Sequence, residues 1–324
     1  MRRIFAIVVI SVVLVSCYDD YIKDFDYNSV YFPFQTNVRT LVVGEGMKIQ
    51  IGADLSGVRE NDHDRVVEFQ IDNSLINAAT LATMKAGYTY VKEAVAKVNE
   101  LKLLPSNYYS LSDNAKIIIK AGEHSGMITL RPDSALFLAD AATLVATYAL
   151  PLRITKADAD TVLISKNYAV IGLKYENMLF GNYWHGGVTV EKNASGAMVS
   201  EKKYYTLIPS PDSKTWKLTT VDPFSLVTNG VSDVSASAKA EFKLTLSGGN
   251  VSISSMPGAT YQVQPEGTST YNQAKLLQNR KIFLNYKYQV ASGNWCYATD
   301  TLTFRNRIRD GVNEWQDENP ENYK

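Results

Sequence analysis

The chain has 324 residues, enough for two domains, and 45% of them are hydrophobic, which is enough for packed cores. Its 33 basic residues balance 33 acidic ones, so the sequence lacks the excess of positive charge that is typical of nucleic-acid-binding proteins. The 20 Tyr, 11 Phe and 4 Trp favour β-strands, and their rings are also the side chains that stack on sugars.

The first residues have the pattern of a bacterial lipoprotein signal peptide. Arg2 and Arg3 precede an almost wholly apolar run over 4–15, which is too short to cross a bilayer as a helix. The letters LVSC that follow match a lipobox, in which the thiol of Cys17 is linked to diacylglycerol and cleavage makes it the new N-terminus. The sequence therefore predicts a signal peptide over 1–17 and a lipid anchor, since each buried CH₂ contributes ~0.8 kcal/mol to membrane binding. An ordinary signal peptide that contains a cysteine is the alternative.

Two acidic residues follow the anchor. Asp19 and Asp20 resemble the signal that sends lipoproteins of Bacteroidetes to the outer face of the outer membrane. A solvated tether is the alternative explanation, and residues 18–28 are predicted to form a tether in either case. The other cysteine, Cys296, then has no partner for a disulfide and is predicted to be a small buried hydrophobic residue.

Residues 29–175 are predicted to form an antiparallel β-sandwich. Apolar and polar residues alternate in MKIQIGA, which places Ile49 and Ile51 on one face. Gly, Asp and Asn clusters separate the similar stretches RVVEFQI, KIIIK, SGMITLRP, YALPLRI and YAVIGLKY. We expect Glu123 to Gly126 to form the turn of a hairpin between KIIIK and SGMITLRP.

A helical segment interrupts this alternation. From Tyr90 onward, apolar residues recur at the spacing of one helix face: Val91, Ala94, Val95, Val98 and Leu101. Glu93 and Lys97 form an i,i+4 pair on this helix, and Pro105 ends it. A shorter helix is predicted over 75–84, and together the two are expected to cover one end or edge of the sandwich.

A domain boundary is predicted near 175–181, and a second antiparallel β-domain over 176–316. Its strand-like stretches include KKYYTLI, TWKLTTV, AEFKLTLS, NVSISS, RKIFLNYKYQV and WCYATDTLTFRN, with a hairpin turn at 248–250. The pattern is compatible with a closed barrel or a second sandwich. Residues 317–324 are predicted to be a loose tail.

The aromatic residues of this second domain are the candidates for glycan binding, because the C–H faces of pyranose rings pack onto aromatic rings. The candidate residues are Tyr183, Trp184, His185, Trp216 and Trp295. Trp184, in GNYWHGG, is the preferred one, since flanking glycines let the backbone bend. Core packing is the alternative for each of them.

Motifs for other chemistry are missing. The three histidines are dispersed, and the sequence has no H-E-x-x-H, G-x-S-x-G, Walker or G-x-G-x-x-G motif. Acidic stretches at 60–64 and 158–160 offer oxygen ligands for Ca²⁺ but lack the spacing of a dedicated ion loop. The acidic residues between Asp310 and Glu318 are explained better by a solvated tail than by catalysis. We therefore predict no cofactor, no metal site and no enzymatic activity.

Several phrases resemble a known family. They are DYNSVYFPFQTNVRTLVVGE, LPSNYYSLSDNAKIIIKAGEHSGMITL, FGNYWHGG and TDTLTFRNRIRDGVNEW. Together they resemble the two-domain surface lipoproteins of Bacteroides and relatives, built from domains of unknown function seventeen thirty-five (N-terminal) and forty-three sixty-one (C-terminal). The resemblance implies an all-β fold, with an immunoglobulin-like β-sandwich at the N-terminus.

The resemblance also implies a role. Such proteins are encoded in polysaccharide-utilisation loci, beside outer-membrane transporters of the starch-utilisation type. The expected function is therefore non-catalytic carbohydrate binding at the cell surface, with a glycan and possible association with that transporter complex as partners. An adhesin that binds another protein, and a glycoside hydrolase of unrecognised type, are the alternatives.

Overall fold

The structure is a computed structural model that describes residues 27–204, 214–234 and 239–317. The predicted signal peptide, Cys17, most of the tether and the end of the predicted tail lie outside the described residues. Within the described part of the chain, no helix is long and apolar enough to cross a membrane.

The N-terminal domain is a sandwich of two β-sheets. Its strands are β1 (Ser29–Tyr31), β2 (Thr36–Val43), β3 (Ile49–Ser56), β4 (Arg65–Ile71), β5 (Lys102–Leu103), β6 (Tyr109–Leu111), β7 (Lys116–Ile119), β8 (Ser125–Pro132), β9 (Tyr148–Ala157), β10 (Thr161–Val162) and β11 (Tyr168–Asn177). One sheet has the order β10-β1-β3-β8-β6, and the other has the order β2-β11-β9-β4-β7, with β5 beside β9. The predicted all-β fold class is confirmed.

The core of the sandwich lies between the two sheets. On β3 the alternation is as predicted, because Ile49 and Ile51 are buried while Gln50 is exposed. Phe32 and Phe137 fill the same core. Burying each large apolar side chain contributes about 1.5–3 kcal/mol, so this packing is the main source of stability of the domain.

The predicted hairpin at 123–126 does not form. β7 pairs with β4 in one sheet, whereas β8 pairs with β3 in the other. The chain therefore turns a corner between the sheets at this point, and Gly122 adopts a left-handed φ of 82° there. Gly126 lies so close to the preceding strand that a Cβ on it would be 2.5 Å from the carbonyl oxygen of Ile118.

Two helices pack on the outer face of the six-stranded sheet, and a third packs into the core between the two sheets. The helices are α1 (Ala78–Ala86), α2 (Thr89–Val95) and α3 (Ser134–Ala139), with 3₁₀ turns at Asn73–Leu75, Ser106–Tyr108, Ala141–Leu144 and Ile164–Lys166. Met84 of α1 packs against Val38 and Ala149 of the sheet. Helices α1 and α2 were predicted to cover an end or an edge of the sandwich. That prediction is wrong, because they pack on the face of a sheet. Small residues such as Gly172 leave room on the sheet face, where a Cβ would be 3.1 Å from the Met84 side chain.

Helix α2 is shorter than predicted. It ends at Val95, although Val98 and Leu101 remain buried in the irregular chain that follows. The expected ion pair between Glu93 and Lys97 is not among those of the described residues, because the helix does not continue to Lys97.

The C-terminal domain is a closed β-barrel. Its strands are β12 (Gly181–Lys192), β13 (Met198–Tyr204), β14 (Lys214–Asp222), β15 (Ser225–Thr228), β16 (Phe242–Ser247), β17 (Asn250–Ser255), β18 (Val263–Pro265), β19 (Thr270–Tyr271), β20 (Lys281–Gln289), β21 (Trp295–Arg309) and β22 (Val312–Glu314), with a 3₁₀ turn at Leu277–Asn279. The ring runs β12-β14-β15-β16-β17-β19-β20-β21, and β21 pairs with β12. Of the two architectures left open by the sequence, the barrel is therefore the observed one.

The seam between β12 and β21 extends over the whole length of β12, from Asn182 opposite Asn306 to Lys192 opposite Trp295. A glycine is required in the middle of this seam. A Cβ on Gly187 would be 2.2 Å from the carbonyl oxygen of Thr299. Both seam strands also present alternate residues to a barrel interior of buried aromatic and aliphatic side chains.

A buried ion-pair cluster joins the two domains. Glu45, in the turn after β2, accepts hydrogen bonds at 2.8 Å from both terminal nitrogens of Arg307. Arg280 lies at 2.8 Å from the same carboxylate, and all three side chains are at most 5% exposed. The chain passes from sandwich to barrel over the short link between Asn177 and Gly181. The cluster and the short link together hold the barrel against the edge of the sandwich.

The C-terminal segment is fixed at its start. The backbone N–H of Asp317 donates to the side-chain oxygen of Gln278 at 2.9 Å, and the Asp317 carboxylate accepts from the N–H of Leu277 at 3.3 Å. Glu314 pairs with Arg307 and Arg309. The first residue of the predicted tail and the acidic residues before it are thus part of the folded barrel, because barrel cations and amides bind them.

Candidate functional site

A cleft of about 660 Å³ lies between the two domains. One wall comes from the sandwich, through β2, β11 and the start of α2, and the other comes from β12, β14 and the turn after β21. Each domain supplies both apolar and polar side chains, so the cleft exists only in the assembled pair.

An exposed aromatic ring stands on the sandwich side of the cleft. Tyr88 is 64% exposed, and its ring stacks on Tyr90 with the centroids 6.1 Å apart and the planes 12° from parallel. The hydroxyl of Tyr90 donates to the side-chain oxygen of Asn37 at 2.8 Å. Gly311 lies against the Tyr90 ring, where a Cβ would be 2.8 Å from the nearest ring atom. Tyr90 is therefore a fixed support that leaves the outer face of Tyr88 free.

A half-buried carboxylate connects the two walls. Asp310, just after β21, accepts a hydrogen bond from the backbone N–H of Thr40 at 2.9 Å and lies 3.2 Å from Nε of Arg39. Burial raises the pKa of Asp310 above its ordinary value, against the opposing effect of those two partners. By bonding to the outer edge of β2, Asp310 also occupies a backbone donor that would otherwise be an open sheet edge.

Other charged and polar groups complete the lining. The Lys174 ammonium and the Glu176 carboxylate lie 2.6 Å apart, so each neutralises the charge of the other. Glu93, Asn182 and Lys217 also line the cleft. Within the described residues, neither Glu93 nor Lys217 takes part in an ion pair, so both are available to a ligand.

Three of the predicted glycan-binding residues point into the barrel. Tyr183 and His185 are fully buried and Trp216 is 2% exposed. The His185 and Trp216 rings stack with their centroids 4.0 Å apart. Because side chains alternate along β12, the residues on either side of Trp184 face inward. A surface sugar cannot reach these rings, and core packing, the alternative considered for them, is what is observed.

Trp184 and Trp295 lie on the outside of the barrel. The guanidinium of Arg305 lies 4.7 Å from the centroid of the Trp184 ring. Trp295 and Tyr297 share the outer face of β21, and the ammonium of Lys287 lies 5.6 Å and 5.8 Å from the two ring centroids. Glycan binding by these two tryptophans stays a prediction.

The barrel interior holds a polar network that the sequence did not indicate. Asp300 is fully buried and accepts hydrogen bonds at 2.5 Å from the hydroxyls of Tyr204 and Tyr286, and Nε2 of His185 lies 3.2 Å from it. Burial, and then the Asp300 charge, raise the pKa of Tyr286 well above its ordinary value. Ser232 and its N–H connect the two tyrosines. The network is enclosed, so its evident role is to order the barrel.

The two acidic stretches considered for calcium lie at one end of the sandwich. His63 lies between them, 2.6 Å from Asp62 and 3.3 Å from Asp158. Asp64 instead pairs with Lys120 at 2.6 Å. In the described part of the chain, no three His, Cys, Asp or Glu side chains form a group that could hold a metal ion.

The cleft residues were missed because they come from distant parts of the sequence. Tyr88 and Tyr90 belong to the predicted helical segment, and Asp310 to a stretch interpreted as a solvated tail. The one local signal was the GYTYV run, in which two tyrosines start a helix.

Cys296 is buried as predicted, and burial raises its pKa.

Comparisons with known proteins place the fold among proteins of unknown function. A family model described as a "-like, N-terminal domain" matches residues 25–161. A crystal structure of a Bacteroides ovatus protein of unknown function has a TM-score of 0.63 at 19% identity, covering 90% of this chain and 99% of that one. A second B. ovatus structure, of a multidomain protein including DUF1735, has a TM-score of 0.44 at 16% identity, covering 90% of this chain and 100% of that one. A comparison with curated proteins gives no match.

Proposed function

We propose that the chain is a non-catalytic surface protein that binds a glycan in the cleft between its two domains. The observation that carries this proposal is the exposed Tyr88 ring, which is supported from behind by Tyr90 and opens onto a cleft with free polar groups. The cleft volume of about 660 Å³ lies within the usual range for ligand sites, roughly 300–1,000 Å³.

The lining suits a sugar. The C–H face of a pyranose ring packs on an aromatic ring. Because Tyr88 already stacks on Tyr90, its side chain loses little conformational freedom when a sugar binds. Glu93, Asn182 and Lys217 then supply acceptors and donors for the hydroxyl groups. Because the walls belong to different domains, a bound glycan bridges them.

A role in binding rather than hydrolysis fits the carboxylates of the cleft. Glycoside hydrolysis requires a pair of carboxyl groups that are free to exchange protons. Asp310 is held by Thr40 and Arg39, and Glu176 by Lys174. Asp310 therefore joins the two walls and Glu176 is neutralised within β11, which leaves Glu93 as a contact for the ligand.

The change Tyr88→Ala tests the site. Affinity electrophoresis in gels that contain soluble polysaccharides is the measurement, and we expect the wild-type protein to be retarded by at least one of them. Loss of the stacking surface should weaken that binding about tenfold, equivalent to about 1.4 kcal/mol. Phe224→Ala is the matched control, because Phe224 is 58% exposed and lies outside the cleft. Equal retardation of the Tyr88 variant and the wild type would count against the cleft.

We further propose that Cys17 anchors the protein to the outer membrane facing outward, where it hands glycan to a transporter complex. The signal-peptide pattern supports this location, and the first described strand begins at Ser29, a short tether away from the anchor. Cells fed a fatty-acid probe should label the wild type and Cys296→Ala but not Cys17→Ala. A wild-type protein that stays unlabelled would refute the anchor. A protein that protease added to intact cells does not cleave would refute the outward orientation.

A further inference from the structure

The cleft does not account for a three-stranded face on the outside of the barrel. β21 lies between β12 and β20, and their registers place outward residues side by side in five rows. The face consists of the even-numbered residues 184–192 of β12, the odd-numbered residues 295–303 of β21 and the odd-numbered residues 281–289 of β20. We call this surface the barrel track.

Aromatic rings stand at both ends of the barrel track. Trp184 lies opposite Thr303 in the first row, and Trp295 lies opposite Lys192 in the last. At about 3.3 Å per residue, the eight residue steps from Trp184 to Lys192 along β12 span about 26 Å. Tyr297, in the row before Trp295, adds a second ring at that end. Two stacking positions so far apart suit an extended polymer rather than a single sugar.

The charge of the barrel track is positive. Lys192 and Lys281 belong to it, and Arg305 follows it on β21. No ion pair of these three cations occurs within the described residues. A fourth cation, Lys287 of the barrel track, does form an ion pair, with Glu266 at 2.7 Å. The outward positions of the three strands carry no Asp or Glu, so the face is complementary to a negatively charged ligand.

The barrel track continues into the cleft. Asn182 and Lys217 lie opposite each other on β12 and β14, and both line the cleft. Trp184 is the next outward residue after Asn182 on β12. A chain that occupies the cleft can therefore leave it past Lys217 and meet Trp184 directly.

We propose that the barrel track binds an extended anionic polysaccharide, of the uronic-acid class, as the continuation of the chain held in the cleft. This inference rests on the proposed function. Carboxylates of the polymer pair with Lys192, Lys281 and Arg305, of which Lys192 and Arg305 each already pack on an aromatic ring of the barrel track. Sugar rings of the polymer stack on the aromatic faces that these cations leave open at the two ends. A polymer that reaches both sites gains affinity because its second contact is intramolecular, whereas a short oligomer occupies the cleft alone.

The probes are polygalacturonate, a galacturonate trimer and uncharged dextran, measured by isothermal titration calorimetry. Polygalacturonate should bind more tightly than the trimer, and raising the salt concentration should weaken its binding, since exposed charges are screened. Dextran should bind weakly. Equal affinity for polymer and trimer, or equal affinity for dextran and polygalacturonate, would overturn the proposal.

The variants Trp184→Ala and Trp295→Ala locate the contact. Each should weaken polygalacturonate binding about tenfold and leave trimer binding unchanged, while Trp184→Phe keeps a ring and retains most of the affinity. Phe224→Ala is again the control, and melting temperatures verify that each variant is folded. Tyr88→Ala should weaken the binding of both probes.

The pattern separates the two proposals. If Tyr88→Ala weakens both probes and the tryptophan variants bind polymer normally, the cleft stands and the barrel track is refuted. If only the tryptophan variants have an effect, the cleft is refuted, and with it the continuous path proposed here.

Discussion

At the scale of single residues, Asp300 is the buried carboxylate at the centre of the hydrogen-bond network inside the barrel. It is fully buried, and it remains acceptable there because Tyr204 and Tyr286 both donate to it and His185 lies beside it. A buried carboxylate without such partners would cost several kcal/mol, since water no longer solvates it. The strands that carry these residues are thereby held in one arrangement.

The change Asp300→Ala should destabilise the protein by about 3 kcal/mol or more, because it removes the buried carboxylate to which the hydroxyls of Tyr204 and Tyr286 both donate. Urea unfolding followed by tryptophan fluorescence is the measurement, and Trp216 beside His185 reports on the same region. Asp300→Asn should cost less, since the amide oxygen still accepts. Glu201→Ala, on exposed β13, is the control and should change stability by no more than about 0.5 kcal/mol. Equal stability of the Asp300→Ala variant and the control would contradict this role.

At the scale of elements, the sequence shows that apolar and polar residues alternate along a strand, but it does not show which face of the strand points inward. The run GNYWHGG is a strand, as its period predicts, yet only the barrel decides that Tyr183 faces inward and Trp184 outward. Turn chemistry was local enough to predict the hairpin between β16 and β17, whose strands end at Ser247 and resume at Asn250. The turn before β8 failed as a hairpin prediction, because the same Gly-containing signal also serves a corner between two sheets.

The helices likewise separate what is local from what is not. Apolar spacing predicted α2, because it depends on residues within one turn of each other. The shorter helix predicted over 75–84 is observed as α1 at Ala78–Ala86. Their docking on a sheet face depends on small side chains at Ala149 and Gly172, far away in the sequence. No local pattern contains that information.

At the scale of the whole molecule, the cleft depends on how firmly the two domains are joined. Glu45 belongs to the sandwich, whereas Arg280 and Arg307 belong to the barrel. Because all three side chains are buried, removing the Glu45 carboxylate takes away an ion-pair partner that both cations share. The geometry of any ligand site between the domains therefore rests on this contact.

The change Glu45→Gln should destabilise the domain interface by about 3–5 kcal/mol and separate the unfolding of the two domains in differential scanning calorimetry. Glu314→Gln is the matched control, because it removes a partner of Arg307 within the barrel alone. A single unchanged transition in the Glu45 variant would contradict the coupling.

Acid should act on the same contact. Burial alone would raise the pKa of Glu45, but the hydrogen bonds and charges of Arg307 and Arg280 outweigh it and hold the pKa below its ordinary value of 4.5. The contribution of Glu45 to stability is therefore complete above about pH 4.5 and is lost as the pH falls through the lower folded pKa. Part of the acid sensitivity of the wild type should accordingly be missing in Glu45→Gln.

The sequence alone determined the all-β class, the two-domain division, the helical insertion and the burial of Cys296. The two-domain division follows from chain length, and the others follow from patterns within a few neighbouring residues. It also supplied the lipobox on which the proposed location rests. Tertiary structure decided that the second domain is a barrel, since β12 pairs with β21 across more than a hundred residues. It also decided which aromatic rings reach solvent and brought Tyr88, Lys217 and Asp310 to one cleft. These outcomes depend on the packing free energy of the complete chain, which no short stretch of sequence contains.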